Sequence, residues 1–599
     1  MVNILRMFRL QRNAARVACT VALFGAACPP ILAPVASGDE VPAARVPSPN
    51  ARPNVILIIT DDQGYGDIGF HGNPVVQTPN LDRLASQSLR LTDFHVDPTC
   101  SPTRAALMTG RYSCRTGVWH TIMGRSILRS DETAMPQYFA RAGYATGMFG
   151  KWHLGDSAPY RPIDRGFSRA LWHGGGGIGQ TPDFWGNTYF SPTLRKNEIW
   201  VPSEGYCTDV FFAGARDFIA QNRDRPFFVY LATNVPHAPW QVEDRYAASY
   251  RAAGVPRDLA NFYGMLANLD ENLGKLLALL DEWNLAHDTI VIFMTDNGTA
   301  GSGFNAGMRG RKGSPYDGGH RVPCFLRWPS RWPEPRQVPG LTAHIDLLPT
   351  LIDLCDLPRE GGMPFDGVSL CPQLDGTSAG DADRTIFVQV NRIEHPVPWR
   401  LSCVLTSRYR LINGSELYDI VEDPGQNRDI APSHPEVVSD LRARYERWYR
   451  DVSSRFDEYV PLVAGLPQEN PVLLTCHDWH GEQVPWDQNM ISRNAPGNGF
   501  WAVDFRQSGD YQITLLDRPP YVRHPIAGPR ARLVIGDREW VQDVPTGATA
   551  AVFRVRLEAG PSRLQTYLMD GDTELRGAYF VEIAYVDENP TRESELPSR

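Results

Sequence analysis

Four short apolar runs, each giving way to polar residues, constrain this chain more than any other feature. They are NVILIIT (54–60), YATGMFG (144–150), PFFVYLAT (226–233) and TIVIFMT (289–295). Continuous apolar runs of this length suit strands covered on both faces, since a half-exposed strand would alternate. Between the last two lies NFYGMLANLDENLGKLLALLDEWNL. There Phe262, Leu266, Leu269, Leu273, Leu276 and Leu280 recur at three- or four-residue steps, the stripe of an amphipathic helix. Strands alternating with helices predict an α/β fold: a large, mostly parallel sheet sandwiched by helices. TAHIDLLPTLIDLCDLP (342–358) is predicted as a further helix closing this domain.

The residues just past each run point to chemistry. VILIIT leads into Asp61-Asp62 and IVIFMT into Asp296-Asn297, while ATGMFG leads into Lys151-Trp152-His153 and FFVYLA into the turn bearing His237. In open parallel sheets the ligand site lies beyond the carboxyl ends of the strands. Asp61, Asp62, Asp296 and Asn297 offer only oxygen donors, the set for a hard cation such as Ca²⁺ or Mg²⁺ rather than for zinc. A lone Asp after a strand is often only a turn residue; two such pairs in one domain are a stronger signal. Lys151, His153, His237, Arg104 and Lys312 supply the cationic complement. Carboxylates, a divalent ion and several cations together describe a site for an oxyanion ester.

The rest of the chain divides by pattern. Residues 1–37 carry Arg6, Arg9, Arg12 and Arg16 ahead of a short apolar stretch and small residues, the layout of an export signal and its processing region. Lipid attachment at Cys28 is the alternative to simple cleavage. A Pro/Ala-rich linker (38–52) precedes the α/β domain (53–375), a smaller α+β subdomain (376–452) and a strand- and turn-rich accessory β-sandwich (453–599). No other stretch is long and apolar enough to span a membrane, so the mature chain is expected to be periplasmic or extracellular. A net charge of -9 argues against a nucleic-acid partner. The ten cysteines include no C-x-x-C, which disfavours a zinc site, and most read as buried thiols or structural bridges.

Cys100 stands apart. CSPTRAALMTGR (100–111) resembles the signature of the formylglycine-dependent type I sulfatases of the alkaline phosphatase superfamily, C-x-P-x-R followed by a Leu-Thr-Gly-like triplet. Cys100, Pro102, Arg104, Thr109 and Gly110 match; Thr103 and Met108 replace the commoner Ser and Leu. NVILIITDDQGYGDIG, GKWHLG, NVPHAPW, TDNG and RGRKGSPYDGGHRVP resemble further blocks of that family, in its order, over roughly residues 52–450.

The resemblance implies an alkaline-phosphatase-like fold and a sulfuric ester hydrolase of the arylsulfatase type. It implies that a sulfatase-maturation enzyme oxidises Cys100 to formylglycine (3-oxoalanine), whose hydrate attacks sulfur with one hydroxyl and expels sulfate with the other. Asp61, Asp62, Asp296 and Asn297 then match Ca²⁺ ligands, joined by residue 100 itself. Arg104 and His153 match residues holding the hydrate; Lys151, His237 and Lys312 match those that bind sulfate and assist the leaving group. Two alternatives remain: a phosphonate monoester or phosphodiester hydrolase using the same nucleophile, and a catalytically silent glycan-binding protein.

Export and an appended sandwich favour a sulfated carbohydrate as substrate. The Gly-rich, aromatic stretch ALWHGGGGIGQTPDFWGNTYFSP (170–192) offers Trp172, His173, Phe184, Trp185 and Tyr189, either as a pocket border or as loop anchors in the core. Trp240 and His320 are further candidates for substrate contact. In the sandwich, Trp479, His480 and Trp486 either reach a glycan or the cleft or belong to a purely structural module.

Overall fold

The computed structural model describes residues 52–586. The export segment, with Cys19 and Cys28, and the linker up to residue 51 lie outside the described residues.

Ten strands form the main sheet: β1 (Asn54–Thr60), β2 (Leu89–His95), β3 (Ala145–Lys151), β4 (Arg169–His173), β5 (Thr193–Lys196), β6 (Ile199–Pro202), β7 (Phe227–Ala232), β8 (Thr289–Thr295), β9 (Cys324–Arg327) and β10 (Arg336–Ala343). Their spatial order is β10-β2-β9-β8-β1-β7-β3-β4-β5-β6. The sheet is mixed. Strands β8, β1, β7, β3 and β4 run parallel at its centre, β9 is inserted antiparallel between β2 and β8, and an antiparallel pair closes the β4 edge. The four apolar runs are the central strands β8, β1, β7 and β3, and each of their residues is buried. Along β1 the two faces separate cleanly: Val55, Leu57 and Ile59 enter one core, Ile56 and Ile58 the other.

Helix Arg257–Glu282 covers the second face, with Phe262, Leu266, Leu269, Leu273, Leu276 and Leu280 all buried as their spacing predicts. Each such side chain contributes roughly 1.5–3 kcal/mol by leaving water. The helix expected over 342–358 is shorter. It begins at Leu347, after a single 3₁₀ turn, and the preceding residues form β10, parallel to β2. The β10 register shifts between Val338 and Leu341, where Pro339 lacks an N–H for the ladder and Gly340 takes φ 104°. That irregularity hides the strand from a search for alternation.

Beyond the main sheet, strands Ile386–Gln389, Ser402–Leu405, Tyr409–Ile412 and Glu416–Asp419 form an antiparallel sheet backed by helix Pro435–Val452. Two further sheets, of six and four strands, enclose a core that includes Trp479, Trp501, Leu564 and Ile583. Ile127 and Tyr160 join that same core, so the sandwich shares its interior with loops next to the strand ends. The eight described cysteines are all free. Cys114 is a buried thiol against Trp119, Val452 and Phe456.

Candidate active site

The carboxyl ends of β8, β1, β7 and β3 lie side by side, so Asp296, Asp61, His237 and His153 reach one edge of the sheet through adjacent strands. Loop hydrogen bonds extend this registry past the strands: Asp296 N–H donates to Thr60 O and Asp61 N–H to Val235 O, both at 3.0 Å. Cys100 opens helix Cys100–Thr109, whose ten residues are all buried and which ends at Gly110 in the left-handed conformation, φ 68°. Its flanking motif residues fix it in place. Ser101 Oγ donates to His153 O at 2.8 Å, and Thr103 Oγ1 to Asp97 O at 2.8 Å.

Three carboxylates converge here, and each has one oxygen tied to a cation. Lys151 Nζ lies 2.7 Å from Asp61 Oδ2, Lys312 Nζ 2.5 Å from Asp62 Oδ1, and Arg104 Nη2 2.7 Å from Asp296 Oδ2. Arg104 also donates to Lys151 O at 3.1 Å, clamping the end of β3 to that of β8. Asp61 Oδ1 is buried without a hydrogen-bond partner, and so is Asn297 Oδ1. The Asn297 amide orientation is fixed, because Nδ2 donates to Asp62 Oδ1 and to Gly298 O, both at 3.0 Å. Ligand atoms of Asp61, Cys100 and Asp296 all lie within 4.8 Å of one another. Buried orphan oxygens are costly unless something satisfies them. An oxygen-rich set of this kind fits a hard cation such as Ca²⁺.

The electrostatics agree. Burial pushes Asp296 up, and the neighbouring Asp61 charge adds to it, reaching about 7 despite Arg104 and Lys151. Burial also works against the Asp62 carboxylate, but Lys312, His237 and Lys151 outweigh it and hold the group well below the usual range. Lys312 resists its own burial through Asp62 and stays firmly protonated. The two histidines are held neutral. Burial, assisted by the Lys312 and Lys151 charges and opposed by Asp62, takes His237 down to about 4; burial and then Lys151 push His153 well down. His153 Nε2 faces Thr121 O at 2.9 Å, which assigns the proton to Nε2 and leaves Nδ1 an acceptor with no partner. Asp62 (φ 70°) and His153 (φ 61°) both occupy left-handed backbone, an arrangement that non-glycine residues keep where the surroundings over-determine it.

A cleft of about 360 Å³ opens above this cluster, with Cys100, His153, His237 and Lys312 in its floor and walls. Residues 53–357 match the Sulfatase family. The chain belongs to the sulfatase family. It is 31% identical to human arylsulfatase A over 458 residues, 65% of this chain and 86% of the relative. It is 30% identical to the N-acetylgalactosamine-6-sulfatase of Canis lupus familiaris over 395 residues, 59% and 71% of the two chains. Among solved structures it is similar to Ps i-CgsB, with a TM-score of 0.63 and 28% identity, covering 68% of this chain and 95% of that one; the same protein has been solved in complex with k-i-k-neocarrahexaose. This sulfatase is therefore an enzyme of the sulfuric ester hydrolase class.

The ten residues matched to catalysis and metal binding gather at this one place in the sulfatase, but the four sequence candidates for substrate contact do not line its cleft. Trp172 is fully buried, donating from Nε1 to Asn197 O at 2.9 Å. His173 is fully buried beside it, at the end of β4. His320 is buried with Nδ1 2.9 Å from His95 Nδ1. Trp240 lies edge-on to Phe262, against helix Arg257–Glu282. Phe184, Trp185 and Tyr189 anchor their loop: Phe184 stacks on Tyr521, Arg518 lies over Trp185, and Tyr189 Oη donates to His237 O. The same loop has a reason for its glycines. A Cβ on Gly176 would sit 2.5 Å from His153 Cε1, so only bare backbone can pass over that ring.

In the C-terminal region Trp479 is core and His480 pairs with Glu394 at 2.9 Å, whereas Trp486 lines the cleft. His120, Thr121 and Arg392 also line it, and none of them belongs to a motif legible in the sequence, whereas Gly176 and Gln180, which line it too, come from the Gly-rich stretch 170–192. Arg392 does come after a strand end, Ile386–Gln389, but in the antiparallel sheet, where alternating strand directions gather no common edge.

Proposed function

We propose that this sulfatase cleaves sulfate esters of carbohydrates, using formylglycine made from Cys100 and a Ca²⁺ ion held by Asp61, Asp62, Asp296 and Asn297. The observation that carries this reading is Cys100 itself: 3% exposed at the start of a buried helix, lining the cleft, with Sγ beside the carboxylate cluster. A thiol in that position has no disulfide partner among the described residues. The ion would supply charge neutralisation and Lewis acidity at residue 100 and the sulfuryl oxygens. The converted residue would supply a hydrated aldehyde, one hydroxyl for attack and the other for release of sulfate.

The partners of the chain's own groups support a role for each. His153 Nδ1, neutral and unpartnered, is the acceptor available to hold a hydroxyl at residue 100. Lys312 spends one N–H on Asp62 and keeps two for sulfuryl or leaving-group oxygens. Lys151 and Arg104 are more deeply set, and each ties down one oxygen of Asp61 and Asp296 respectively. The neutral His237 lines the cleft with Nδ1 2.6 Å from Ala238 O, so that Nε2 is left as an acceptor.

Mass spectrometry of the peptide containing Cys100, after co-expression with a sulfatase-maturation enzyme, is expected to show the aldehyde. Sulfate release from an aryl sulfate is expected to require that conversion and to be lost in Cys100→Ala, which still folds. A fully active Cys100→Ala protein would refute the assignment. Chelation of divalent ions is expected to abolish turnover, with recovery on adding Ca²⁺.

A further inference from the structure

Two parts of the cleft come from outside the strand-end cluster. Arg392 lies just past the antiparallel-sheet strand that ends at residue 389, and Trp486 belongs to the C-terminal region that leads into the sandwich. Lys151, Lys312 and Arg104 are each committed to a carboxylate, but Arg392 is not. Its hydrogen bond is to Thr121 Oγ1 at 3.3 Å, it enters no ion pair among the described residues, and among them no carboxylate lines this cleft, Glu394 and Glu482 lining a neighbouring pocket that Arg392 also borders.

Trp486 is 40% exposed, yet its backbone is fixed. Its carbonyl accepts Thr181 N–H at 3.0 Å, the Pro485 carbonyl accepts Thr181 Oγ1 at 3.0 Å, and Gln488 Nε2 donates to the carbonyls of Gln180, Asp183 and Phe184. An exposed indole on an immobilised backbone presents a flat apolar face at little entropic cost. A guanidinium with no ion-pair partner on the wall of a cleft is a ready partner for an anion.

We infer that Trp486 and Arg392 form a subsite for the leaving part of the substrate, taking a saccharide that carries a second anionic group, a sulfate or a carboxylate, beyond the ester that is cut. This rests on the reading that a sulfated carbohydrate enters this cleft. The indole packs on a sugar-ring face and the guanidinium pairs with the second charge. The C-terminal region is on this account part of the active site: it supplies Trp486 and ties down the loop whose Gly176 passes over His153.

The test measures equilibrium binding by calorimetry on full-length Cys100→Ala protein with Ca²⁺ present, so that no turnover intervenes. The probes are a monosulfated, a disulfated and a sulfated-and-carboxylated disaccharide. The doubly charged sugars are expected to bind about tenfold tighter than the monosulfated one, the range of a charge-assisted hydrogen bond. Arg392→Gln is expected to remove that preference, and Trp486→Ala to weaken all three sugars by about tenfold. Equal preference for both doubly charged sugars assigns the subsite to charge alone, and preference for the disulfated sugar alone assigns it to sulfate. A preference that survives Arg392→Gln, or unchanged saccharide affinity in Trp486→Ala, overturns the inference. Aryl sulfate turnover by the converted wild-type enzyme runs in parallel. Absence of turnover with the binding preference intact refutes the catalytic reading and supports the subsite; turnover without the preference refutes the subsite alone.

Discussion

Gly176→Ala isolates one steric demand of the active site. The Gly176 backbone is not in the left-handed region, so alanine brings no conformational strain there, only a methyl group. That methyl would lie 2.5 Å from His153 Cε1, 2.8 Å from Nε2 and 2.9 Å from Gln180 Oε1. Ordinary contact begins at 3.4 Å, so the ring or the loop must yield by 0.9 Å (3.4 − 2.5). The ring has little room, because His153 is 3% exposed and Nε2 already spans 2.9 Å to Thr121 O. Moving it breaks that bond and misplaces the Nδ1 acceptor. A displacement near 1 Å in a catalytic group costs about 10²-fold in rate, or about 2.8 kcal/mol. The overpacking itself costs about 1–3 kcal/mol of stability. Steady-state kcat/KM on an aryl sulfate, with the unfolding midpoint measured alongside, reads both effects. Gly177→Ala is the control: its nearest neighbours would be Gln180 Nε2 at 3.5 Å and His237 at 3.6 Å, ordinary contacts. A Gly176→Ala enzyme with wild-type kcat/KM, or a Gly177→Ala enzyme equally impaired, would refute the steric argument.

Lys151→Met removes the cation from a pair whose side chains are both fully buried, leaving the Asp61 carboxylate among Asp62 and Asp296. Without added divalent ion, denaturant unfolding is expected to show a loss of about 3–5 kcal/mol, and saturating Ca²⁺ to recover part of it. An unchanged midpoint would contradict the charge balance. His173 gives a pH test away from the metal ligands. Burial lowers it from 6.5 to about 3, so the unfolded chain binds a proton that the folded chain refuses. Stability is therefore expected to fall as pH drops below 6.5, continuing towards 3. In His173→Gln the slope over about pH 5–4 should be shallower by about 1.4 kcal/mol per pH unit. Identical slopes in the two proteins would place the acid sensitivity elsewhere.

The legible part of the site was the part carried by chain order. Asp61, His153, His237 and Asp296 each come after a run of apolar residues, and β8, β1, β7 and β3 proved to be adjacent parallel strands, so one rule about strand ends gathered them. Trp172, His173 and His320 obeyed the same reasoning, being polar or aromatic residues beside strand ends or family motifs. Burial decided against them, since whether a ring faces a cleft or a core depends on what packs over it.

By itself the sequence determined the α/β core, the oxygen-rich donor set and the singular position of Cys100, because hydrophobic runs and side-chain chemistry are local properties. Only the tertiary structure decided that β10 is a strand, since the residues on either side of its Pro339-Gly340 irregularity are held by pairing with β2. Only it decided which oxygens stay unsatisfied, since that depends on partners up to 250 residues away, as in Lys312 on Asp62. And only it placed Arg392 and Trp486 in the same cleft as Cys100, because contacts between separate sheets leave no periodic trace in the chain.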